Sequence, residues 1–489
     1  MGVQPSRDRN ILIMVDKSKE EPLYLQVYDQ IRQAIEEGRL VADDRLPSIR
    51  SLGAELNMSH VTIEKAYAQL STEGYIRNIP YSGFVVRELD NAFLDSTTPD
   101  NQGEIDAIMA HWEQELREAG FLSGSNCRFD FSYFDLDPVL FPLSQWKKLL
   151  DEQLYEFGKD GFSSYPSLVR VSKLQRVLAK FLGRMRGVNC LPEQIMVVPG
   201  CESAFRLLLQ VFDPHQDLVG HEEPGWFAFL QTARTARFTV MPLPVDQGFE
   251  AYRYALEILK PNLIYCTPSN QFPTGKCLTL DERIELLKIA ERRNIYILED
   301  DSCSEYRYNT APLPSLQSLD RSNRVIYLGS LSKLFSPDLR LAYLILPPNL
   351  LQKWCFARRA SSELLPMYLQ NTVAAFIDHG YLEKHIRKLR MHYRRSHDLL
   401  ENVLKDVFQD RIAFPNTDTG LHFYTDVHSP MDQRQLVYAA RNQNCSVYKT
   451  SQCWFATEPP AHRLMIGFSR IPQEKIEEGV NRLANAWFG

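Results

Sequence analysis

One short stretch of the chain combines a lysine, two serines and an arginine in an order that suits a phosphorylated aldehyde. An apolar run from residue 325 ends at Ser330, Ser332 and Lys333 follow, and Arg340 comes seven residues after the lysine. A lysine amine condenses with an aldehyde to form an imine, while hydroxyl and guanidinium groups bind phosphate oxygens. The spacing therefore predicts a covalent ligand site, although an isolated lysine is most often a solvated surface charge.

Two further polar residues, Asn270 and Asp300, follow predicted strands as Lys333 does. These strands are the apolar runs 263–266, 295–298 and 325–328. Because ligands bind at the carboxyl ends of the strands in an open α/β sheet, we expect the three side chains to meet in one crevice. A carboxylate there would keep a pyridine nitrogen protonated, so the set predicts pyridoxal 5'-phosphate (PLP) as the ligand. Alone, Asp300 would be interpreted as a structural carboxylate.

Additional ligand groups are predicted upstream of these strands. A helix is expected to begin after Gly200 and to direct the amides around Cys201 and Glu202 at the phosphate. Trp226, in the sequence His-Glu-Glu-Pro-Gly-Trp, is a candidate to stack on the ring of the ligand. The alternative for Trp226 is an ordinary aromatic side chain of the core.

The composition limits the class of protein. A chain of 489 residues with 44% hydrophobic and 24% charged residues is typical of a soluble globular protein with two or three domains. A net charge of -6 means that any DNA binding requires a local basic face. The nine scattered cysteines include no Cys-x-x-Cys pair, which predicts no zinc site and suits a reducing cytoplasm. No apolar run approaches the ~18 residues of a membrane span, so no membrane partner is expected.

A compact helical block is predicted over residues 20–88. Its first helix covers 24–37, Ser48 suits the start of a second helix, and Asn57 can adopt the left-handed conformation of a tight turn. Ser59 is the predicted N-cap of a third helix, and a two-stranded wing turning at 82–83 follows. Residues at the start or on the outer face of the third helix would meet DNA: Ser59, His60, Thr62 and Lys65. The alternative is a three-helix module with no DNA contact.

The rest of the chain is predicted to form a linker and an α/β domain. Residues 89–127 are acidic, and apolar residues recur at helical spacing over 105–119. From 128 to 489, short β-rich runs alternate with helical stretches, which indicates a mainly parallel sheet. A capping box at Thr279 and Glu282 predicts the helix of a βαβ crossover. A small α+β subdomain is predicted from about residue 402 to the end.

The block 22–87 resembles the winged helix-turn-helix of the GntR family of bacterial regulators. The resemblance rests on Leu46-Pro-Ser-x-Arg50, Met58-Ser-x-x-Thr62, Glu73-Gly-Tyr-Ile76 and a glycine-containing wing. It implies that Arg50, Thr62 and Lys65 contact DNA. His60 stands where the family often has arginine, and an imidazole is a weaker phosphate ligand near pH 7, which implies a different operator sequence or affinity.

Residues 128–489 resemble the fold-type I, class I aminotransferases, an α/β fold with a mainly parallel sheet. The matching segments are Phe141–Trp146, Pro199–Ser203, Glu223–Trp226, Ser269–Gly275, Leu298–Asp301 and Ser330–Arg340. Joined to the GntR-type block, this region makes the chain similar to the MocR subfamily of bacterial transcription factors. The resemblance implies that Lys333 forms the internal aldimine with PLP, that Asp300 pairs with the pyridinium and that Arg340 binds the phosphate. It also implies that Cys201 and Glu202 donate backbone amides and that Trp226 replaces the usual stacking tyrosine.

The chain departs from the aminotransferase pattern around the substrate. Ser302 replaces a tyrosine whose phenol normally donates a hydrogen bond to the cofactor. Met465 falls at the position of the arginine that binds a substrate carboxylate, with Arg463 as the nearest substitute. Losing such a pair would cost about 2–5 kcal/mol of amino-acid binding. Ala228 stands where some relatives place a ligand-binding arginine, and the segment 164–171 lacks the usual glycines.

The combined patterns predict a cytoplasmic, PLP-dependent transcriptional regulator. PLP, or PLP with a small amine or amino acid, would modulate the binding of double-stranded promoter DNA. The alternatives are a working aminotransferase with an auxiliary DNA-binding domain and a degenerate scaffold that no longer binds PLP. A homodimer is expected for two reasons. Aminotransferase-fold sites form at a dimer interface, and a pair of DNA-binding domains (reader domains) suits the paired half-sites of a DNA operator. The MocR resemblance implies that the reader domains are swapped onto the partner subunit.

Overall fold

A computed structural model describes residues 13–17, 21–80, 83–88, 102–118, 127–133, 135–159, 170–358, 364–415 and 418–489. It divides the chain into two compact units, Met1–Trp112 and Glu113–Gly489. Within the described ranges, none of the helices combines the length and apolar character needed to cross a bilayer.

The first unit is a helical bundle with a two-stranded ribbon. Its helices and strands are α1 (Leu23–Glu36), α2 (Ile49–Glu55), α3 (His60–Thr72), β1 (Ile76–Ile79) and β2 (Gly83–Val86), with β1 antiparallel to β2. Ser48 and Ser59 cap α2 and α3 with their side chains, and Asn57 has φ 51° in the turn between them. The buried faces of the three helices form one apolar core. The helix-turn-helix therefore forms where the capping residues predict it, and Ser82 of the wing turn lies outside the described residues.

A helix, α4 (Gln102–Glu118), covers the part of the predicted linker where apolar residues recur at helical spacing. Its described side chains, at residues 103–113, are all exposed. The division between the two units falls inside this helix.

The second unit is built on a seven-stranded sheet in the order β4-β10-β9-β8-β7-β5-β6. Its strands are β4 (Ile195–Val198), β5 (Leu218–Glu223), β6 (Thr239–Pro244), β7 (Leu263–Cys266), β8 (Tyr296–Asp300), β9 (Val325–Ser330) and β10 (Ala342–Ile345). The β5–β6, β5–β7, β7–β8 and β8–β9 pairs are parallel, whereas β10 is antiparallel to β4 and β9. The prediction of a mainly parallel sheet is confirmed.

The helices of this part pack on the two faces of the sheet or on one another. They are α5 (Leu143–Phe157), α6 (Lys173–Arg186), α7 (Cys201–Leu209), α8 (Phe227–Thr235), α9 (Phe249–Leu259), α10 (Leu280–Arg293), α11 (Leu316–Leu319), α12 (Pro348–Arg358), α13 (Met367–Asp378) and α14 (Tyr381–Phe408). The capping box at Thr279 starts α10, and Asn294 ends it with φ 60°. Leu263 and Tyr265 of β7 belong to one apolar cluster while Ile264 and Cys266 belong to another, as expected of a strand buried on both faces.

The chain ends in a smaller α+β part. Its elements are β11 (Ile412–Ala413), β12 (His422–Val427), α15 (Gln433–Asn442), β13 (Cys445–Ser446), β14 (Tyr448–Lys449), β15 (Arg463–Gly467) and α16 (Gln473–Phe488). An antiparallel sheet has the order β11-β12-β15-β14, and β13 pairs with β3 (Phe129–Asp130). Residue 402, the predicted start of this part, lies within α14. The β3–β13 pair brings the segment after β3, including Tyr133, beside the smaller sheet.

Candidate ligand-binding site

A cavity of about 340 Å³ lies in the second unit where β7, β8 and β9 end and α7 begins. Its size is within the ordinary range for small-molecule and cofactor sites. All the residues that sequence patterns predict for the cofactor line it: Cys201, Glu202, Trp226, Asn270, Asp300, Ser330, Ser332, Lys333 and Arg340. The fold thus brings together residues from distant parts of the chain, and their individual roles remain predictions.

Lys333 lies at one side of the cavity, three residues after the end of β9. Its Nζ donates a 2.8 Å hydrogen bond to the carbonyl oxygen of Tyr133 and lies 5.5 Å from the centroid of the Tyr133 ring. Burial lowers the pKa of Lys333. A lowered pKa increases the neutral fraction of the amine, which is the form that attacks a carbonyl carbon.

Asp300 is the last residue of β8 and is buried. Its Oδ2 accepts a 2.8 Å hydrogen bond from the hydroxyl of Tyr265, and its Oδ1 accepts one of 3.0 Å from the amide of Ser302. Burial raises the pKa of Asp300. A protonated ring nitrogen beside this carboxylate would supply a positive charge that favours its ionised form.

The amino end of α7 and the side chain of Arg340 lie together at one side of the cavity. Gly200 precedes the helix with φ 87°, and a Cβ at this position would lie 2.9 Å from Arg340 Nη2. Glycine is therefore required for the guanidinium to approach the backbone so closely. Arg340 Nη2 also donates a 2.6 Å hydrogen bond to Glu202 Oε2. A helix amino end, serine hydroxyls and a guanidinium are a suitable donor set for phosphate.

Trp226 and Asn270 also line the cavity. The Trp226 ring packs edge-to-face on Phe272, with centroids 4.9 Å apart. Asn270 Oδ1 accepts a 3.0 Å hydrogen bond from Thr419 Oγ1, and a Cβ at Gly420 would lie 2.9 Å from Asn270 Nδ2. Asn270 therefore connects the cavity wall to the smaller C-terminal part.

Several lining residues are not predicted by any sequence pattern. They are Tyr133, Asp135, Tyr265, Phe272, Cys303 and His422. In the sequence, tyrosine and phenylalanine within apolar segments resemble ordinary core residues. His422 Nε2 lies 2.8 Å from the carbonyl oxygen of Pro273, and burial lowers the pKa of His422 to about 4, so the ring is neutral near pH 7.

The residues that mark the departure from aminotransferases do not provide a carboxylate-binding arginine at this cavity. Met465 is buried in the apolar core, and Arg463 Nε lies 3.3 Å from Asp426 Oδ2, with neither residue lining the cavity. The suggestion that Arg463 substitutes for the missing arginine is therefore not supported. Ala228 and Ser302 do line the cavity. Among the described lining residues, Lys333 and Arg340 are the ones with ordinarily cationic side chains, and residues 164–169 lie outside the described ranges.

In the first unit, α3 presents one polar face. Ile63, Ala66, Tyr67 and Leu70 are buried in the core. The residues predicted to contact DNA lie away from it: Arg50, Ser59, His60 and Lys65 are exposed, and Thr62 is half-buried. Ser59 Oγ lies 2.7 Å from Thr62 Oγ1 in addition to capping α3. Val61, which sequence patterns do not single out, is 60% exposed on the same helix.

Both units match known families. Residues 23–86 match the bacterial regulatory proteins of the gntR family, and residues 137–483 match the aminotransferases of class I and II. The chain is 32% identical to the "Uncharacterized HTH-type transcriptional regulator YdeL" of Bacillus subtilis (strain 168), over 98% of this chain and 99% of the relative. It is 28% identical to the "Probable rhizopine catabolism regulatory protein MocR" of Rhizobium meliloti, over 97% of this chain and 96% of the relative.

A solved structure is similar to the second unit. It is LysN, the alpha-aminoadipate aminotransferase of Thermus thermophilus, in complex with N-(5'-phosphopyridoxyl)-L-leucine. The TM-score is 0.67 and the identity 26%, over 77% of this chain and 97% of that chain.

A GntR-type helix-turn-helix joined to an aminotransferase fold defines a class of DNA-binding transcriptional regulators. This chain belongs to that class, and within it to the MocR-type regulators. The cofactor of its aminotransferase-like unit is PLP.

Proposed function

We propose that PLP, or an adduct of PLP with a small amine or amino acid, occupies the cavity at Lys333 and thereby changes the affinity of the chain for promoter DNA. The observation that carries the proposal is one cavity that gathers a lysine amine, a buried carboxylate and a phosphate donor set, in a chain that also holds a GntR-type reader. A ligand can change DNA affinity only if it binds one arrangement of the protein more tightly than another.

Lys333 is the proposed attachment point. When bound, PLP supplies an aldehyde conjugated to an electron-withdrawing ring. Lys333 would hold this aldehyde, because its Nζ supplies the amine with which an aldehyde condenses. The lowered pKa of Lys333, which burial causes, supports this role because the attacking amine must be neutral.

The other lining residues orient the ligand in this proposal. Asp300 holds a negative charge for the ring nitrogen and is itself fixed by Tyr265. Trp226 and Asn270 would border the ring. The phosphate would be held by side chains and by the amino end of α7, that is by Ser330, Ser332, Arg340 and the amides of Cys201 and Glu202.

Transaminase activity is residual or absent in this proposal. An amino-acid substrate needs a partner for its α-carboxylate, whereas Met465 is buried in the core and Arg463 is paired with Asp426. The test is to add a panel of amino acids to the PLP-loaded chain and to follow the cofactor absorbance. Rapid and complete conversion of the cofactor to its amine form would instead favour the alternative, a working aminotransferase.

DNA recognition is assigned to α2 and α3. Arg50, Ser59, His60, Thr62 and Lys65 are proposed to contact the duplex, and the exposure of four of them supports this. The proposed assembly is a homodimer, which would present two readers to paired half-sites. Light scattering of the full chain checks this, and a monomeric mass for the DNA-bound chain would contradict it.

Promoter DNA from upstream of the chain's own gene provides the central test. Mobility shifts with and without PLP would compare the natural chain, Lys333→Ala, and Lys353→Ala as a control at an exposed lysine of α12. We expect PLP to change the apparent Kd by about fivefold or more in the natural chain and the control, and to have no effect in Lys333→Ala. Identical DNA binding with and without PLP in all three proteins would refute the sensor function.

A further inference from the structure

The arginine proposed to bind the phosphate already has an anionic partner in the same cavity. Arg340 Nη2 lies 2.6 Å from Glu202 Oε2, and both residues line the cavity. The two side chains are 53% and 46% exposed, so the pair lies at the rim where an incoming ligand can reach it. The carboxylate of Glu202 thus occupies part of the donor set that a phosphate would use.

The position of Glu202 in α7 strengthens this overlap. Glu202 is the second residue of the helix, and a carboxylate in the first turn is stabilised by the amino end of the helix. Gly200, which has no Cβ, allows the guanidinium of Arg340 to lie against the backbone just before that turn. The positive amino end of α7 and the guanidinium of Arg340 would therefore attract Glu202 as well as any phosphate.

We propose that Glu202 competes with the phosphate of the ligand for Arg340 and so weakens the binding of PLP relative to ligands that lack a phosphate. A phosphate carries about -1.5 to -2 charges at pH 7. On binding, it either displaces Glu202 from Arg340 or lies beside a second anion, and both outcomes reduce its affinity. This inference rests on the proposed binding of PLP at Lys333.

A lower affinity for the phosphate of PLP suits a sensor. When a cofactor binds very tightly, its site stays filled at all ordinary concentrations. With Glu202 in competition, the occupancy of the site follows the concentration of PLP over a higher range. Glu202 would then set the PLP concentration at which the regulator responds.

Glu250 offers a matched control. It is also the second residue of a helix, α9, that follows a glycine with positive φ, and it is also paired with an arginine, at 2.7 Å from Arg253 Nη2. Glu250 does not line the cavity. Glu250→Gln therefore reproduces the local change of Glu202→Gln in a helix start that does not border the ligand.

The experiment measures the Kd of PLP and of pyridoxal, which lacks the phosphate, by absorbance titration of the full-length chain. We expect Glu202→Gln to bind PLP about tenfold more tightly and to bind pyridoxal as the natural chain does. Glu250→Gln should leave both values unchanged, and in an Arg340→Ala background Glu202→Gln should no longer affect PLP. The gain in PLP affinity of Glu202→Gln should be smaller at high salt, because the Glu202–Arg340 pair is half-exposed and salt screens its attraction. Thermal unfolding of each variant checks that the fold is kept.

Three results would overturn the inference. Unchanged or weaker PLP binding by Glu202→Gln would show that Glu202 does not compete with the phosphate. An equal gain for PLP and pyridoxal would show that the effect does not act through the phosphate. Failure of every protein, including the natural chain, to bind PLP would contradict the proposed function itself and is distinguishable from the first two results.

Discussion

At the scale of single residues, Tyr265 shows how a strand residue can control a ligand group. Its hydroxyl donates to Asp300 Oδ2 at 2.8 Å, and its ring is stacked against His221 with centroids 5.5 Å apart. Burial lowers the pKa of His221 to about 4, so this ring is neutral near pH 7 and adds no charge to the site. Stacking on His221 holds the Tyr265 phenol in place, and the hydrogen bond from this phenol orients the Asp300 carboxylate.

Tyr265→Phe tests this control. Without the hydroxyl, Asp300 is protonated more readily and pairs less well with a protonated ring nitrogen. Loss of a hydrogen bond to a charged group costs about 1.5–3 kcal/mol, so we expect the Kd of PLP to rise about tenfold or more. Tyr252→Phe is the control, since the buried Tyr252 hydroxyl has no hydrogen-bond partner among the described residues. Equal PLP affinity in Tyr265→Phe and the natural chain would contradict this role.

The lowered pKa of Lys333 predicts a pH dependence for ligand attachment. Burial lowers this pKa, so the reactive neutral amine is already populated at pH values where an ordinary lysine is protonated. The rate of PLP attachment, followed by stopped-flow absorbance, should rise with pH and level off below the ordinary lysine pKa of about 10.4. Reaction of PLP with Nα-acetyl-lysine over the same pH range controls for titration of PLP itself. A rate that rises in parallel with that of the free lysine derivative would show that Lys333 is not perturbed.

At the scale of secondary-structure elements, the segment 223–226 of the cavity wall is hydrogen-bonded to the segment 453–457 of the smaller C-terminal part. The amide of Gly225, next to Trp226, donates a 2.9 Å hydrogen bond to the carbonyl oxygen of Cys453. The Glu223 carboxylate accepts hydrogen bonds from the amides of Ala456 and Thr457, at 3.1 and 2.8 Å. A ligand that shifts the Trp226 turn would therefore also shift the loop around residue 455.

The outer face of α3 gives a prediction for DNA binding. His60 is exposed at the first position of this helix, and a guanidinium binds phosphate more strongly than an imidazole does. His60→Arg should increase DNA affinity and steepen the slope of log K against log salt by about 0.9, the value for one added phosphate contact.

His215→Arg makes the same change of residue type at an exposed position of the second unit and serves as the control. Both variants are compared with the natural chain by fluorescence anisotropy on labelled promoter DNA over a series of salt concentrations. Equal slopes for His60→Arg and His215→Arg would mean that the start of α3 does not face the phosphate backbone.

At the scale of the whole molecule, the proposed function couples two binding equilibria. If PLP changes the Kd for DNA by some factor, DNA must change the Kd for PLP by the same factor, because the coupling free energy is shared. Titrations of PLP with and without saturating promoter DNA should reproduce the factor seen in mobility shifts with and without PLP. Lys333→Ala should show no coupling in either direction. A PLP affinity that DNA leaves unchanged would exclude coupling between the two units.

The local sequence patterns determined the parts of this protein that depend on neighbouring residues. Ser59 and Asn57 defined the helix-turn-helix, and Thr279 marked the start of α10, because capping and turn conformations are set within a few residues. Asn270, Asp300 and Lys333 could be assigned to one sheet edge because parallel strands align their carboxyl ends. The alternation of β-rich and helical stretches predicted the mainly parallel sheet, and the polar side chains expected at its edge predicted the PLP cofactor.

Contacts between distant residues were decided by the tertiary structure alone. The carbonyl of Tyr133 reaches Lys333 across 200 residues of chain, and Glu202 meets Arg340 across 138. The resemblance to aminotransferases left Arg463 as the nearest substitute for the carboxylate-binding arginine, yet its side chain is paired with Asp426 outside the cavity. No local pattern encodes such pairs, because they arise from the packing of strands and helices that are far apart in the chain. The sequence by itself therefore predicted nine side chains that line the cavity, and only the packed structure shows which other residues join them and which of them are hydrogen-bonded to one another.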